Sequence, residues 1–532
     1  MSVFIGYPSF MAYQMMKGKK DNNDGFLSIP GTIARYSALG LTNEQMAENP
    51  VWKDLTGNGH DLQMKNFSWK GMSGVGGYGD ENHQTFYKFI LDDDVFIATP
   101  PGVKHMNFTF RVTGLQPGNK LTLAFFGTTN TVYGTWNKDG IYTVDADIVE
   151  AGKPTYFYNG YGATRGEFTI EILPLYPGAL VFDGVDDYGT CDNFPILTKE
   201  KGYTVVALRQ WITYNPNAIS AIATNASDRS FNGAFTFENC NKGAEQTISY
   251  GATQISLQYS KSPFSWQTTS KYNGFNIANG NKDATNSLVL GRSYPQRNEF
   301  ANFAIWELVF LDHDATEEEL TKIKDYFVKT YPWLFPYQAW TVVGKTNEDE
   351  DRATIVNITG NGNNLVLSNF GFAEGSGYNE EGEYAGYLVT DGVDDKMSSS
   401  TFEMGNDWTV IGDWELINTG KNVNAGIVKF DSIVIYNYNS MLINIKNGRN
   451  ILIPDQNTVN AICSDGRIYS KDWKESIYNE ETESTSKNLL TIGYSGNNYT
   501  KIAFKNLAIY PTVLSKEDCI KAYNYLQTLK AK

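Results

Sequence analysis

The stretch TNEQMAENPVWKDLTGNGHDLQMKNFSW, from Thr42 to Trp69, returns later in the chain as TNEDEDRATIVNITGNGNNLVLSNFGF, from Thr346 to Phe372. Both stretches share TGNG, two further residues, a leucine and an Asn-Phe pair. Self-similarity over a segment of this length is typical of a duplicated structural unit. The sequence therefore predicts two copies of one fold.

Three further motif pairs follow in the same order in both halves. They are ALVFDGVDDYGT (Ala179 to Thr190) with YLVTDGVDDKMS (Tyr387 to Ser398), SLVLGRSY (Ser287 to Tyr294) with LLTIGYSG (Leu489 to Gly496), and NFAIWELVF (Asn302 to Phe310) with NLAIYPTVL (Asn506 to Leu514).

The offset between partner positions shows where the two copies differ. It is 303 residues from Gly57 to Gly360 and 208 residues from Asp183 to Asp391. In the last two pairs it is 202 (Gly291 and Gly493) and 204 (Ala304 and Ala508). The first copy therefore holds 95 additional residues between TGNG and DGVDD, which predicts an inserted domain.

Composition and periodicity predict an all-β fold. The chain has 33 Tyr, 30 Phe, 11 Trp and 49 Gly, which suit half-buried strands and the turns between them. The insert contains seven strand-like runs: FYKFIL, VFIAT, MNFTFRVTGL, KLTLAFFG, GIYTVDADI, PTYFYNGY and GEFTIEILP. We predict two jelly-roll sandwiches, the first interrupted by a small inserted β-sandwich.

Each copy is predicted to end in one short amphipathic helix. Thr316 with Glu319, and Ser515 with Asp518, have the spacing of a capping box. The expected domains are an N-terminal docking segment (1–33), the first jelly roll (34–80 and 178–335), the inserted sandwich (81–177) and the second jelly roll (336–532).

The motifs DLTGNG, VFDGVDDY, VLG and FAIWELVF, with a capped terminal helix, resemble the laminin-G-like (concanavalin-A-like) jelly roll. This resemblance implies two antiparallel sheets, a concave face that often binds glycans and, in some members, a calcium ion at the rim. The same fold serves lectins, glycanases, adhesion modules and viral surface proteins, so it does not decide the function.

A narrower resemblance rests on IARYSALGLTNEQMAENPVWKDLTGNGHDLQMKNFSW joined through the insert to PGALVFDGVDDYGT. It is similar to virion surface proteins, the head fibres and decorations, of crAss-like tailed bacteriophages of gut bacteria. This implies a non-enzymatic virion protein, a homodimer or homotrimer, that docks on capsid or other virion proteins and binds host surface glycans. The alternatives are a bacterial cell-surface adhesion protein and a polysaccharide-active enzyme.

Charge and hydropathy exclude two classes of partner. The net charge of −15, without a cluster of Lys and Arg, argues against nucleic acid. We see no run of about 18 apolar residues, the length needed to span a membrane. The first residues also lack a basic region and a cleavage site, so we expect synthesis in the host cytoplasm and localisation in the virion.

The repeated DGVDD motif makes calcium the one expected cofactor, because calcium binds oxygen-rich turns. The candidate ligands are Asp183, Asp186 and Asp187 in the first copy, Asp391, Asp394 and Asp395 in the second, and Asp54 of DLTGNG. The second copy has Asn357 in place of Asp54, which weakens its site. The alternative is that Asp-Gly closes a tight hairpin and the other carboxylates are solvated.

No catalytic residue is predicted. GxSxG and HExxH are absent, four histidines are present, and the nearest acidic string, DADIVE at Asp145 to Glu150, lies in the insert. Tyr436 and Tyr438 are the candidate carbohydrate-binding platforms.

The remaining large aromatic residues and the cysteines are assigned to the interior. Trp211, Trp306, Trp408 and Trp414 lie in strand-like runs and are assigned to the cores. Cys191, Cys240, Cys463 and Cys519 show no metal or redox spacing and are expected to be buried free thiols.

Overall fold

The computed structural model describes residues 28–78, 88–91, 95–97, 105–125, 130–147, 149, 155–159, 168–197, 202–213, 220–227, 235–240, 253–259, 274–275, 284–293, 298–373, 375–380, 384–417, 425–430, 433–437, 441–445, 449–453, 459–471, 473–477, 489–495 and 498–531. Residues 1–27 of the predicted docking segment lie outside this set. The role of that segment stays a prediction.

The described elements are mostly strands, which confirms the all-β class. Before the DGVDD motif they are β1 (Thr32–Ser37), β2 (Val51–Trp52), β3 (Leu62–Lys65), β4 (Gly74–Val75), β5 (Lys88–Leu91), β6 (Val95–Ile97), β7 (His105–Thr113), β8 (Leu121–Phe125), β9 (Thr131–Trp136), β10 (Gly140–Asp147), β11 (Thr155–Asn159) and β12 (Phe168–Ile172). The first copy continues with β13 (Leu180–Asp183), β14 (Tyr188–Cys191), β15 (Thr204–Trp211), β16 (Ser220–Ala226), β17 (Phe235–Cys240), β18 (Gln254–Tyr259), β19 (Gly274–Phe275), β20 (Ala284–Leu290) and β21 (Asn302–Leu311).

The second copy supplies the remaining strands. They are β22 (Gln338–Thr341), β23 (Thr354–Ile355), β24 (Leu365–Ser368), β25 (Gly377–Tyr378), β26 (Leu388–Val389), β27 (Lys396–Ser398), β28 (Thr409–Leu416), β29 (Ala425–Phe430), β30 (Ile433–Asn437), β31 (Met441–Ile445), β32 (Arg449–Ile453), β33 (Val459–Cys463), β34 (Arg467–Ser470), β35 (Glu475–Ile477), β36 (Thr491–Ile492), β37 (Tyr494–Ser495), β38 (Asn498–Tyr499) and β39 (Ile502–Tyr510).

Each copy is a sandwich of two antiparallel sheets. In the first copy the sheets run β18-β15-β21-β13-β4, with β1 also on β21, and β19-β17-β16-β20-β14-β3-β2. In the second copy they run β25-β26-β39-β28-β33-β34-β35, with β22 also on β39, and β23-β24-β27-β36-β29-β30-β31-β32. Alternating side chains fill the space between the sheets, as the burial along β3 and β24 shows.

The strands between β4 and β13 pair only with one another. They form two four-stranded sheets, β10-β7-β12-β5 and β6-β11-β8-β9. Aromatic rings fill the space between these sheets, and the ring centroids of Phe110 and Phe157 are 5.1 Å apart. An inserted sandwich was predicted, but the sequence did not indicate β9, whose run TVYGTW is interrupted by glycine and only partly buried.

The same side-chain contacts hold equivalent loops in both copies. The Asn43 amide donates to the Val75 carbonyl and accepts the Val75 N–H, at 3.0 and 2.8 Å. Asn347 does the same with Tyr378, at 2.8 Å for both bonds. These reciprocal bonds explain why Thr-Asn recurs at the start of both repeats.

Strand pairing corrects the predicted alignment of the last motif pair. Val181 pairs with Ala304, and Val389 pairs with Ala503. Since Val181 and Val389 precede DGVDD at the same position, Ala304 corresponds to Ala503 and not to Ala508. The predicted pairing was wrong because short apolar strands resemble one another in several registers, and only the ladder fixes one.

Both predicted terminal helices are present, and a third short helix was not predicted. The helices are α1 (Asn43–Glu48), α2 (Glu317–Thr330) and α3 (Lys516–Leu526). Thr316 and Glu319 form the predicted capping box, because each accepts the N–H of the other, at 3.3 and 2.9 Å. Ser515 caps α3 by accepting the Asp518 N–H at 3.1 Å.

The chain divides into two compact units. The first contains the described residues between 28 and 78 and between 174 and 330, and the second contains those between 88 and 173 and between 331 and 531. The insert thus groups with the second sandwich, where Arg111 of β7 forms ion pairs with Glu171 and with Glu517 of α3, both at 3.0 Å. The domain boundaries themselves stay a prediction. None of the described helices has the length and apolar character needed to cross a membrane.

Candidate functional site

Each acidic DGVDD turn carries the chain from one sheet of its sandwich to the other. β13 pairs with β21, whereas β14, directly after the turn, pairs with β20 in the opposite sheet. β26 and β27 are divided between the sheets of the second sandwich in the same way. The alternative interpretation as tight hairpins was therefore wrong.

The first acidic turn is held by its own carboxylates. Asp183 Oδ1 accepts the Val185 N–H at 2.7 Å. Asp187 is fully buried and accepts the Asp183 N–H at 3.0 Å and the Ser73 hydroxyl at 2.9 Å. Burial raises the pKa of Asp187 to about 8, and the nearby Asp183 carboxylate adds to the shift. The last carboxylate of the motif is thus a structural group, not a solvated one.

The second acidic turn repeats this arrangement. Asp391 Oδ1 accepts the Val393 N–H at 2.7 Å, and Asp395 Oδ2 accepts the Asp391 N–H at 2.8 Å. Asp395 is fully buried, and burial raises its pKa as well. In both copies the first aspartate of the motif accepts an N–H group within the turn, and the last aspartate accepts the N–H of the first. These two roles explain why the motif is repeated.

The acidic turns provide only part of a calcium site. Asp183, Asp186 and Asp187 bring carboxylate oxygens within 4.8 Å of one another, as do Asp391, Asp394 and Asp395. Calcium takes about 6 to 8 oxygen ligands, and both oxygens of Asp187 already accept hydrogen bonds from the protein. The residues present fit a weak, partly hydrated ion at most, and calcium binding stays a prediction.

Asp54 belongs to neither of these carboxylate groups. It is buried and accepts the N–H groups of Arg35, Thr56 and His60 at 3.1, 3.0 and 3.2 Å. Asn357 accepts backbone N–H groups at the equivalent turn of the second copy. Since an uncharged amide accepts these bonds in the second copy, the side chain at this position accepts hydrogen bonds from backbone N–H groups and needs no negative charge to do so.

A cavity of about 540 Å³ lies at the other end of the first sandwich. It is lined by Gly31, Thr32, Ile33, Asn58, His60, Pro195, Ile196, Leu197, Gly202 and Asp312. β21 begins with Asn302 beside the acidic turn and ends one residue before Asp312. A strand of this length extends roughly 30 Å, so the cavity and the acidic turn are separate sites.

The polar side of the cavity is formed by side chains that are held by hydrogen bonds to backbone carbonyls. Asn58 Nδ2 donates to the carbonyls of Thr32 and Ile33, at 3.1 and 2.9 Å. The Thr32 hydroxyl donates to the Ile29 carbonyl at 2.6 Å. The His60 ring lies 5.4 Å from that of Phe194. These bonds hold the lining in place without a ligand.

Asp312 is the charged group of the cavity lining. Its Oδ1 lies 2.9 Å from His313 Nδ1, and His313 Nε2 lies 3.2 Å from both carboxylate oxygens of Glu319. The hydrogen bond to Asp312 is the main reason that the pKa of His313 is raised above its usual value. Gly31 leaves room for this pair, because a Cβ there would lie 2.3 Å from Asp312 Oδ1.

The second sandwich places larger side chains at the positions that line this cavity. Asn361 donates to the Tyr337 carbonyl as Asn58 donates to that of Ile33, so Ile33 corresponds to Tyr337. The Tyr337 ring packs 6.3 Å from Phe402, the counterpart of Phe194.

At two further positions of the lining, the second copy has a buried side chain. Ile196 is 42% exposed, whereas Met404, its counterpart in the second copy, is 6% exposed. Gly31 is replaced by the buried Phe335. The lining residues thus differ between two otherwise similar sandwiches.

The remaining predicted positions lie in other elements or outside the described residues. Tyr436 lies in β30, Tyr438 and Glu150 lie outside the described residues, and Asp145 lies in β10. The four tryptophans are buried as predicted, although Trp306 packs away from the space between the sheets and donates to the Pro177 carbonyl. Cys191, Cys463 and Cys519 are buried free thiols, as predicted, and the side chain of Cys240 lies outside the described set.

Six residues of the cavity were not predicted as functional candidates from the sequence: Gly31, Ile33, Asn58, His60, Ile196 and Asp312. None of them belongs to a chemical motif. The available signal was the difference between the two copies, in which Gly31, Ile33 and Ile196 stand opposite Phe335, Tyr337 and Met404.

The chain matches no protein-family model and no curated protein. Among solved structures, a Trypanosoma rangeli sialidase in complex with sialic acid is 8% identical, covers 44% of this chain and 42% of its own length, and has a TM-score of 0.26. The binding domain of Paraclostridial Mosquitocidal Protein 1 is 14% identical over 35% of this chain and 51% of its own, with a TM-score of 0.23. The truncated AlyQ with CBM32 and alginate lyase domains is 11% identical over 62% of this chain and 91% of its own, with a TM-score of 0.19.

The chain spans 42% and 51% of the length of the first two of these structures. Their TM-scores are too low to inform on the ligand or the activity of this chain. These similarities do not assign it to a family.

Proposed function

We propose that the protein is a non-enzymatic attachment protein that binds a saccharide in the cavity of its first sandwich. The observation that carries this proposal is the difference between the two copies. One copy keeps a fixed, open cavity, and the other fills the equivalent positions with Phe335, Tyr337 and Met404. A concave site that combines apolar walls with a few polar groups has the usual form of a ligand-binding site.

The lining suits a sugar because it has an apolar side and a polar side. Ile33, Pro195, Ile196 and Leu197 can pack against C–H groups, and Asn58, His60 and Asp312 can bond hydroxyl groups. The volume of about 540 Å³ lies in the usual range for small-molecule sites, roughly 300 to 1,000 Å³.

Binding without turnover is the better proposal for this cavity. Glycoside hydrolysis generally uses two carboxylic acids, one on each side of the scissile bond. Among the lining residues that the structure describes, Asp312 is the one carboxylate.

The finer assignment is to a bacteriophage virion, as a head fibre or capsid decoration. It is supported by the sequence resemblance of the first repeat. The partners that this assignment implies are one or two further copies of the chain, in a homodimer or homotrimer, virion proteins at the N-terminal segment and glycans of the host surface. Calcium at the acidic turns belongs to the same proposal.

A glycan array with three proteins tests the binding function. Ile33→Tyr introduces the residue of the second copy and should lower the affinity for the bound saccharide at least tenfold, because the ring occupies the cavity. Val366→Tyr, at a half-exposed position of the second sandwich, is the matched control and should bind like the wild type. Binding by none of the three proteins, or equal binding by all, would overturn the proposal, as would measurable depolymerisation by the wild type.

The virion assignment has a separate test. Capsid and portal genes next to the gene for this chain are the expected result. Transporter and glycanase genes there would contradict the virion assignment and favour a bacterial surface protein.

A further inference from the structure

We infer that the cavity selects uncharged, hydroxyl-rich saccharides over anionic ones, and that Asp312 is the residue that sets this selectivity. The inference rests on the proposed saccharide-binding function. It adds the chemical class of the ligand. This class follows from the hydrogen-bond donors and acceptors of the lining that are not used within the protein.

The side-chain donors of the lining are largely used within the protein. Asn58 Nδ2 donates two hydrogen bonds to backbone carbonyls, those of Thr32 and Ile33. The Thr32 hydroxyl donates its proton to the Ile29 carbonyl. Asn58 Oδ1 and the Thr32 lone pairs are left as acceptors. A ligand must therefore supply donors.

Asp312 strengthens the preference for a ligand that donates hydrogen bonds, because a carboxylate accepts hydrogen bonds and carries negative charge. His313 Nδ1 lies 2.9 Å from Oδ1 and His313 Nε2 lies 3.2 Å from Glu319, so this contact orients the carboxylate. Two hydroxyl groups of a sugar can both donate to such a group. The charge-assisted bonds that result are among the stronger ones in proteins.

An anionic sugar would find little compensation in this cavity. Of the residues that the structure describes, the ten that line the cavity include no Lys and no Arg. His60 offers one N–H donor when its ring is uncharged. A carboxylate or sulfate group on the ligand would lie against the negatively charged Asp312 side chain, and like charges repel.

The second copy supports a specific role for Asp312 and its neighbours. By the register of β21 and β39, Pro511 and Thr512 stand at the positions of Asp312 and His313, and Phe335 stands at that of Gly31. The charged pair and the glycine that makes room for it are therefore replaced together. This is expected if they serve one site.

Calorimetric titration of the full chain with matched sugars tests the inference. The probes are galactose with galacturonic acid, glucose with glucuronic acid, and N-acetylglucosamine with its 6-sulfate. Within the pair that binds, the neutral member should bind at least about tenfold more tightly, the effect of one charge-assisted bond. Asp312→Asn should narrow that ratio to less than about threefold, because it removes the charge and adds a donor.

Glu475→Gln removes a negative charge at an exposed position of β35 in the second sandwich and should leave the ratio unchanged. Tighter binding of the acidic member, or an unchanged ratio in Asp312→Asn, would overturn the inference alone. Binding of neither member of any pair would overturn the proposed function and the inference together.

Discussion

At the scale of single residues, Asp187 and Asp395 show why a polar motif can mislead. DGVDD has the composition of a solvated turn, and the pattern itself does not say which carboxylate is buried. The structure buries the last aspartate of each motif and leaves the middle one, Asp186 or Asp394, exposed. Burial depends on Ser73 and other residues brought there by the fold, so sequence spacing could not predict it.

Replacing the buried carboxylate should stabilise the protein at neutral and alkaline pH. The pKa of Asp187 is raised to about 8 from its ordinary 3.8, so its favourable contribution is complete below pH 3.8 and is lost as the pH rises towards 8. We expect Asp187→Asn to raise the free energy of unfolding at pH 8 by on the order of 1 kcal/mol. Urea denaturation across this pH range measures the difference.

The gain should shrink as the pH falls towards 4, where the wild-type carboxyl is protonated. Asp186→Asn, at the exposed position of the same turn, should follow the wild-type curve. Parallel curves for Asp187→Asn and the wild type would contradict this account. If the predicted calcium binds, millimolar calcium should stabilise the wild type at pH 8 and not Asp187→Asn.

His313 should contribute stability on the acidic side of its titration. Its pKa is raised above 6.5, first by the hydrogen bond to Asp312 and also by Glu319, so the contribution is present below pH 6.5 and is lost as the pH rises through the raised value. His313→Gln should lower the midpoint of thermal unfolding below about pH 6 and have little effect above about pH 9. Because the ring is about one-third exposed, the cost should stay under about 1 kcal/mol. An equal deficit at both pH values would argue against the ion-pair role.

At the scale of elements, local rules predicted the terminal helices well and the short helix poorly. α2 and α3 have both a capping residue and an apolar face. α1 has a capping threonine, Thr42, but only six residues, with Met46 as its buried apolar side chain. The second copy has Glu350 at that position and forms a turn. A helix this short depends on one tertiary contact, which a sequence pattern does not show.

The capping box of α2 gives a direct test of the element-level account. Thr316→Ala removes the acceptor for the Glu319 N–H and should lower the free energy of unfolding by about 1 kcal/mol. Thr321→Ala, inside the same helix, should cost less, because alanine favours the helix interior. Chemical denaturation of the two variants measures both effects. A larger loss for Thr321→Ala would contradict the assignment of Thr316 as the cap.

At the scale of the whole molecule, the sequence indicated the duplication because the motifs that hold the fold recur. Asn43 and Asn347, or Asp187 and Asp395, make the same bonds in both sandwiches. The cavity could not be predicted in the same way. It arises where Gly31, Ile33 and Ile196 fail to fill space that their counterparts fill, and a void is a property of packing between distant segments.

The most direct test of the central claim is hydrogen–deuterium exchange on the full chain, with and without the saccharide that binds most tightly on the array. The account predicts slower exchange at residues 29–33, 58–60, 195–197 and 312, around the cavity of the first sandwich. The equivalent segments of the second sandwich and both acidic turns should be unchanged. Protection at the acidic turns or in the second sandwich, with none around the cavity, would contradict it.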